Sequence, residues 1–237
     1  MADFENPAYR TTSDAAAIDQ GLRAHMISVY QFMMLGVAVT GLVAYFVSST
    51  PAIYTAIFGS PLKWLAIFAP VGLVMLLSFG INRMSAVTAQ AVFWLYAALN
   101  GVSLAVIFLV YPVADIARVF FISSAAFGAL SLYGYTTPRS LSAWGSFLFM
   151  GLVGILIASI VNFFLESSAM TFAISVIGVL VFAGLTAYDT QKIKEIYFAG
   201  DDSDTAGKKA VIGALNLYLD FINLFLMLLR LLGSSRD

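Results

Sequence analysis

AVIGALNLYLDFINLFLMLLRLL, residues 210–232, is an apolar run long enough to cross a membrane, yet it carries an aspartate, Asp220, near its middle. About 20 apolar residues in a helix span a hydrocarbon core about 30 Å thick. A carboxylate taken to that depth costs about 2.5–3.5 kcal/mol on insertion scales, so it faces a bundle interior, a partner or a water-filled path. The polar residues Asn216, Asp220 and Asn223 are spaced four and three apart, which places all three on one helical face. Gly213, Met227 and Arg230 continue the stripe, and Leu, Phe and Ile fill the rest of the circumference. Such a helix belongs at the centre of a helical bundle.

Six further stretches qualify or nearly qualify as spans: Met26–Val47, Leu62–Gly80, Ala86–Tyr111, Ile116–Tyr135, Trp144–Phe164 and Met170–Tyr188. Composition agrees, with 61% hydrophobic residues, 11% charged residues and a mean hydropathy of +0.92, against about 25% charged in soluble domains. The sequence predicts an all-α polytopic membrane protein, a seven-helix bundle with the last helix central. Three parts are expected: a polar tail over residues 1–25, a transmembrane domain over 26–232 and a short tail over 233–237. In the first tail Ser13 is placed to cap a short surface helix, with Asp14 and Asp19 near its positive end and Arg23 near its negative end. The start of the chain lacks the basic and apolar regions of a cleaved signal peptide.

Between the spans lie Pro, Gly, Ser and Thr clusters, and the longest connection runs from Lys192 to Lys209. Placing the N-terminus in the cytoplasm puts Arg10, Arg23, Arg83, Arg139, Lys192, Lys194, Lys208 and Lys209 on that side. Lys63, Arg118, Arg230 and Arg236 lie opposite, a bias that favours this orientation. Were the last segment a re-entrant hairpin, the bias would be larger still, so sequence leaves seven spans and six plus a hairpin both open.

Charge and residue inventory exclude several functions. A net charge of −1 leaves no basic field for nucleic acid. The absence of cysteine removes disulfides, thiolate catalysis and Cys-ligated metal sites. The Gly200–Lys208 stretch resembles a phosphate loop, but six residues separate its glycines and Lys209 stands where a hydroxyl should bind magnesium. Asp202–Gly207 resembles the start of a calcium loop, yet Ala206 and Gly213 occupy ligand positions. A single histidine and the lack of a GxSxG elbow argue against hydrolytic chemistry. No enzyme activity and no cofactor are expected.

The sixth stretch ends FAGLTAYDTQKIKEIY, which puts Asp189 at a helix end, followed by Thr190, Gln191 and two lysines. Alone it reads as an ordinary interfacial aspartate. Antiparallel packing of the last two spans would bring it to Asp220, and two carboxyls in hydrogen-bond range cannot both ionise cheaply. Such a pair holds a shared proton and titrates as a unit. Arg83 ends the second span on the same side and is a candidate partner for a carboxylate that has lost its proton; its plainer role is an interfacial anchor. Gln90, Tyr96 and Asn100 in the third stretch, and Ser124, Ser131 and Tyr135 in the fourth, are candidates to line a polar path. Hydrogen bonding between helices is the plainer reading for all of these and for the asparagines of the stripe.

The segments GLTAYDTQKIKEIY (residues 184–197) and GALNLYLDFINLFLMLLRLLG (213–233), with LRAHMISVYQFMMLGVAVTGLVAYF (22–46) and LNGVSLAVIFLVY (99–111), resemble the Bax inhibitor family, its bacterial branch above all. The resemblance covers Gly21 to Gly233. It implies a seven-helix bundle with the last helix in the middle and a pH-sensitive calcium leak in the bacterial inner membrane. It further implies a cytoplasmic-side di-aspartate sensor matching Asp189 and Asp220, with an arginine of the second helix, Arg83, nearby. Bacterial members also look like modulators of a membrane-bound ATP-dependent quality-control protease, which makes an interaction protein the second reading. A proton-coupled small-solute transporter is the third. As calcium ligands Asp189 and Asp220 would be two carboxylates where six to eight oxygens are preferred, so water or backbone carbonyls would supply the remainder. The expected partners are the lipid bilayer and such a protease, and no nucleic acid.

Overall fold

A computed structural model describes residues 7–234, with side chains from residue 18 onward. Its helices are α1 (Pro7–Ser49), α2 (Pro51–Phe58), α3 (Leu62–Gly80), α4 (Ala86–Leu104), α5 (Ile107–Val110), α6 (Val113–Thr136), α7 (Ser142–Leu165), α8 (Ser168–Glu195) and α9 (Ser203–Leu232), and no strand occurs among the described residues. Seven of them are long and apolar enough to cross a membrane, the third crossing being α4 with α5. The chain is an all-α polytopic membrane bundle.

Local chemistry sets several helix ends. Ser85, Ser167 and Asp202 stand before α4, α8 and α9 with side chains accepting the N–H of Thr88, Met170 and Thr205, the usual way of satisfying a first-turn donor. Between α7 and α8, Glu166 adopts a left-handed conformation (φ 50°) and its N–H caps Asn162 O, which lets two long helices reverse within two residues.

The last helix forms the axis of the bundle. In α9, 67% of the span is buried, against 11–39% in the other six, and α9 packs against α8, α1, α6 and α4. Outward faces are apolar instead, as Phe79, Phe163 and Phe164 show at 78–81% exposure. This inversion of the soluble pattern is what lipid as solvent requires, with every backbone group bonded inside a helix.

Several boundaries differ from those expected. The Lys192–Lys209 connection shrinks to residues 196–202, because α8 continues to Glu195 and Asp202 starts α9 early. Lys209 then pairs with Asp201, and Lys208 with Asp204 at 2.9 Å. Asp189 therefore lies inside α8, not at its end. The tail and first span are one continuous helix from Pro7 to Ser49, while residues 1–6 and the side chains of Arg10, Ser13 and Asp14 lie outside the described residues, as does Arg236. The third span breaks at Ala105, and α2 forms where a bare loop was expected.

The continuity of α9 favours a full crossing over a re-entrant last segment. At 1.5 Å per residue α9 runs about 45 Å. It begins beside α4, where Ala86 N–H donates to Asp204 at 2.6 Å, and ends beside α6. There Arg118 donates to Leu232 O at 2.7 Å and Ser234 N–H to Asp115 at 2.8 Å. Those two meeting points are at opposite ends of the bundle, because α4 starts where α3 ends and α6 starts one crossing later.

Candidate functional site

Helices α8 and α9 pack antiparallel through small residues. Met227 fills the space that a side chain at Gly178 would need, and Ile193 and Val29 crowd Gly213. That close approach brings the two aspartates together. Asp220 is 4% exposed and Asp189 is half-buried, and their carboxyl groups face each other within hydrogen-bonding reach. Asp220 Oδ2 is buried and has no hydrogen-bond partner among the described residues. Ionised carboxylates only accept, so a hydrogen bond between the two exists only while one carries a proton.

The pair opens on a cavity of about 660 Å³ between α7, α8 and α9, which Asn216, Asn223, Tyr188 and Lys192 also line. All three residues of the polar stripe thus share one wall. A second cavity of about 390 Å³ continues from it, sharing Leu152, Phe182 and Asn223 and reaching Arg230, Asn162 and Thr171 toward the other end. The polar side of α9 accordingly borders two cavities in series, with Lys192 near one end and Arg230 near the other. Asn223 also donates to Leu219 O of its own helix at 2.8 Å, so part of its polarity is locally satisfied.

The turn carrying Asp189 is held on every side. Gly134 of α6 lies so close to Ala187 that a Cβ there would sit 2.2 Å from Ala187 O, and Tyr188 occupies the space beside Gly145 of α7. Thr190 bonds to Ser131 at 2.9 Å, and Ser131 in turn to Tyr30 of α1. Gln191 accepts from Leu141 N–H at 2.7 Å and donates to Arg139 O at 2.9 Å, fastening the α6–α7 connection. In Ala187-Tyr188-Asp189-Thr190-Gln191 four residues fix the helix, and Asp189 faces the cavity with Tyr188 beside it.

Two expected members stand elsewhere. Asn100 donates to Tyr218 Oη at 2.8 Å, and Tyr218 Oη meets Thr40 Oγ1 at 2.6 Å. Thr40 lies 2.8 Å from Ala97 O, so Tyr218 donates to Thr40 and Thr40 to that carbonyl. Tyr218 is two residues from Asp220, about 200° around the helix, so this cluster binds α1 and α4 to the opposite face of α9. Asn100 belongs to a structural lock and does not line the aspartates' cavity. Arg83 follows α3 in a short 3₁₀ turn, exposed, with no ion pair among the described residues. Because α3 packs chiefly on α4, that turn sits at the periphery, and the cation on the aspartates' cavity is Lys192. The signal for Lys192 was its position three residues after Asp189, one turn on along the same face. Hydropathy falls before Lys192 although α8 continues to Glu195, which conceals that face in the sequence.

Among the described residues no three His, Cys, Asp or Glu side chains cluster as metal ligands do. Asp189 and Asp220 offer a cation two carboxyls, with Asn216 and Asn223 on the same cavity.

Comparison with known proteins agrees with the arrangement of motifs. A family model described as "Inhibitor of apoptosis-promoting Bax1" matches residues 22–237. The chain is 47% identical to the inner membrane protein YbhL of Escherichia coli over 91% of its own length and 94% of the relative's. It is 48% identical to an uncharacterized protein of Rickettsia prowazekii over 96% of both chains. A Caulobacter vibrioides protein is 42% identical over the whole of both.

Proposed function

This inner-membrane chain belongs to the Bax inhibitor family, and we propose that it is a pH-sensitive cation leak, calcium being the permeant ion, gated by a proton shared between Asp189 and Asp220. The observation that carries the reading is a buried carboxyl oxygen without a hydrogen-bond partner, beside a second carboxyl on a cavity that continues along the polar side of α9. A buried ionisable pair of this kind is costly in a span and is kept where a path or a relay needs it.

In the protonated state the carboxyl–carboxyl hydrogen bond ties α8 to α9 and closes the basic, cytoplasmic end. Loss of the proton leaves two carboxylates that repel across a cavity of low polarity. The helices part, and the negative pair draws a cation in past Lys192. Lys192, one turn from Asp189, takes the part expected of Arg83: it offers a charge to a released carboxylate. From there Asn216 and Asn223 supply amide oxygens on the way to the second cavity. Only a helix pair with two arrangements, biased by one proton, is required.

The test is calcium flux from liposomes carrying the purified full chain, measured against pH. Flux is expected to rise with pH in the wild type. Asp189→Asn and Asp220→Asn, which keep the shape but remove the shared titration, should flatten the profile. Unchanged flux and pH dependence in both variants would sink the proposal.

A further inference from the structure

Away from the aspartates, a cavity of about 780 Å³ opens between α1 and α6. Met33, Met34 and Val37 form one wall, Phe127 and Leu132 the other, and Phe221 of α9 the floor. Its rim is open to the side: Ile27, Met34 and Leu132 are 46–63% exposed, and a side chain built at Gly128 meets nothing within 4 Å. The two helices are tied across the gap by the Tyr30–Ser131 hydroxyl contact.

The groove has a charged mouth. Arg23 lines its basic end, exposed and without an ion pair among the described residues. Across from it Tyr135 lies under Lys194, whose Nζ is 5.1 Å from the ring centre and donates to Tyr135 O at 3.0 Å. From Arg23 to Ala38 the groove follows α1 for about 22 Å at 1.5 Å per residue. That exceeds the roughly 15 Å of hydrocarbon in one leaflet of a bilayer whose core is about 30 Å.

We propose that this groove binds one anionic phospholipid of the leaflet at the basic end, its phosphate on Arg23 and one acyl chain lying along α1 and α6 over Phe221. Two features select that occupant. A helix 10–12 Å across and 22 Å long displaces about 2,000 Å³, far more than the groove holds, whereas a single hydrocarbon chain fits its narrow apolar walls. The guanidinium forks onto phosphate oxygens, and the neighbouring ammonium adds to the attraction for anionic lipid. The site is independent of whether the bundle conducts ions.

Native mass spectrometry of the full chain, purified in detergent and mixed with phosphatidylglycerol or phosphatidylcholine of identical acyl chains, tests this. The wild type should retain one phosphatidylglycerol, with about ten-fold preference over phosphatidylcholine. Arg23→Gln should reduce that preference to within about three-fold while chain binding survives. Gly128→Phe, whose ring enters open space, should lose the bound lipid; if that variant does not fold, Ala38→Leu on the facing wall serves the same purpose. Equal retention of both lipids by the wild type, or full retention by the groove-filling variants, overturns the proposal. So does a wild-type dimer that Gly128→Phe dissociates, since the groove would then hold a second copy of the chain.

Discussion

Gly134→Ala tests whether the aspartates are positioned by packing from behind. The new Cβ would lie 2.2 Å from Ala187 O, 2.9 Å from Ala187 C and 3.0 Å from Ala187 Cα, all backbone atoms of a regular helix that cannot rotate away. Reaching even a 3.0 Å contact requires α6 and α8 to separate by at least 0.8 Å at this level. Overpacking of this kind costs about 1–3 kcal/mol. For a chain of this size that is about 2–4 °C in Tm per kcal/mol, so thermal unfolding followed by tryptophan fluorescence in detergent should fall by about 2–12 °C. Ala187 is two residues from Asp189, so the same shift carries the carboxyl with it. A movement of about 0.8 Å exceeds the roughly 0.5 Å range over which O–H···O bonds are found, so the pH dependence of calcium flux should weaken along with stability. The control is Gly154→Ala in α7, where a Cβ meets nothing within 4 Å; removing a helical glycine there should be neutral or stabilising by about 0.5–1 kcal/mol. If Gly134→Ala melts like Gly154→Ala and gates normally, the account of how Asp189 is held is wrong.

Tyr218→Phe should destabilise the bundle by about 1–3 kcal/mol, because the Asn100 amide and the Thr40 hydroxyl lose their shared partner in a buried site; unfolding in detergent reads it, and a wild-type melting curve would dismiss the lock between α4, α1 and α9. Gln191→Ala frees the α6–α7 connection by removing its bonds to Leu141 and Arg139, so trypsin should cut after Arg139 several-fold faster, and an unchanged cleavage rate would count against the clamp. Asp202, outside the spans, has its carboxyl held below the usual carboxylate range by the Thr205 N–H and hydroxyl, with smaller help from Asp204 N–H and Lys208. A lowered folded value means that its stabilisation is present above the unfolded carboxylate range and is lost as pH falls through the folded value. Hydrogen exchange at the Thr205 amide should therefore be accelerated by Asp202→Ala at neutral pH, with the difference from wild type vanishing in strong acid; equal protection at neutral pH would remove Asp202 as the cap.

The spans were legible because lipid demands long apolar helices, and the asymmetry of α9 was legible because a stripe at positions 216, 220 and 223 stands out against Leu, Phe and Ile. Hydropathy is blind at the polar ends. The turn after Asp189 and the start of α9 read as loop because their lysines and aspartates are hydrophilic, although Asp202 caps the next helix and Lys208 pairs with Asp204 within it. Lys192 therefore lines the aspartates' cavity from within α8, whereas Arg83 stands exposed beyond α3.

Sequence by itself determined the membrane, the apolar stretches able to cross it and the one face of the last helix that must avoid lipid, since those follow from solvent and periodicity along a single chain. Which residues meet across helices was decided only by tertiary packing. Asn100 and Asn216 look alike as amides within apolar spans, yet one locks Tyr218 on the far side of α9 and the other shares the aspartates' cavity. The difference is an angle about α9 together with the identity of the neighbour there, and both depend on close approaches, such as Gly134 on Ala187 and Gly178 on Met227, between residues far apart in the chain.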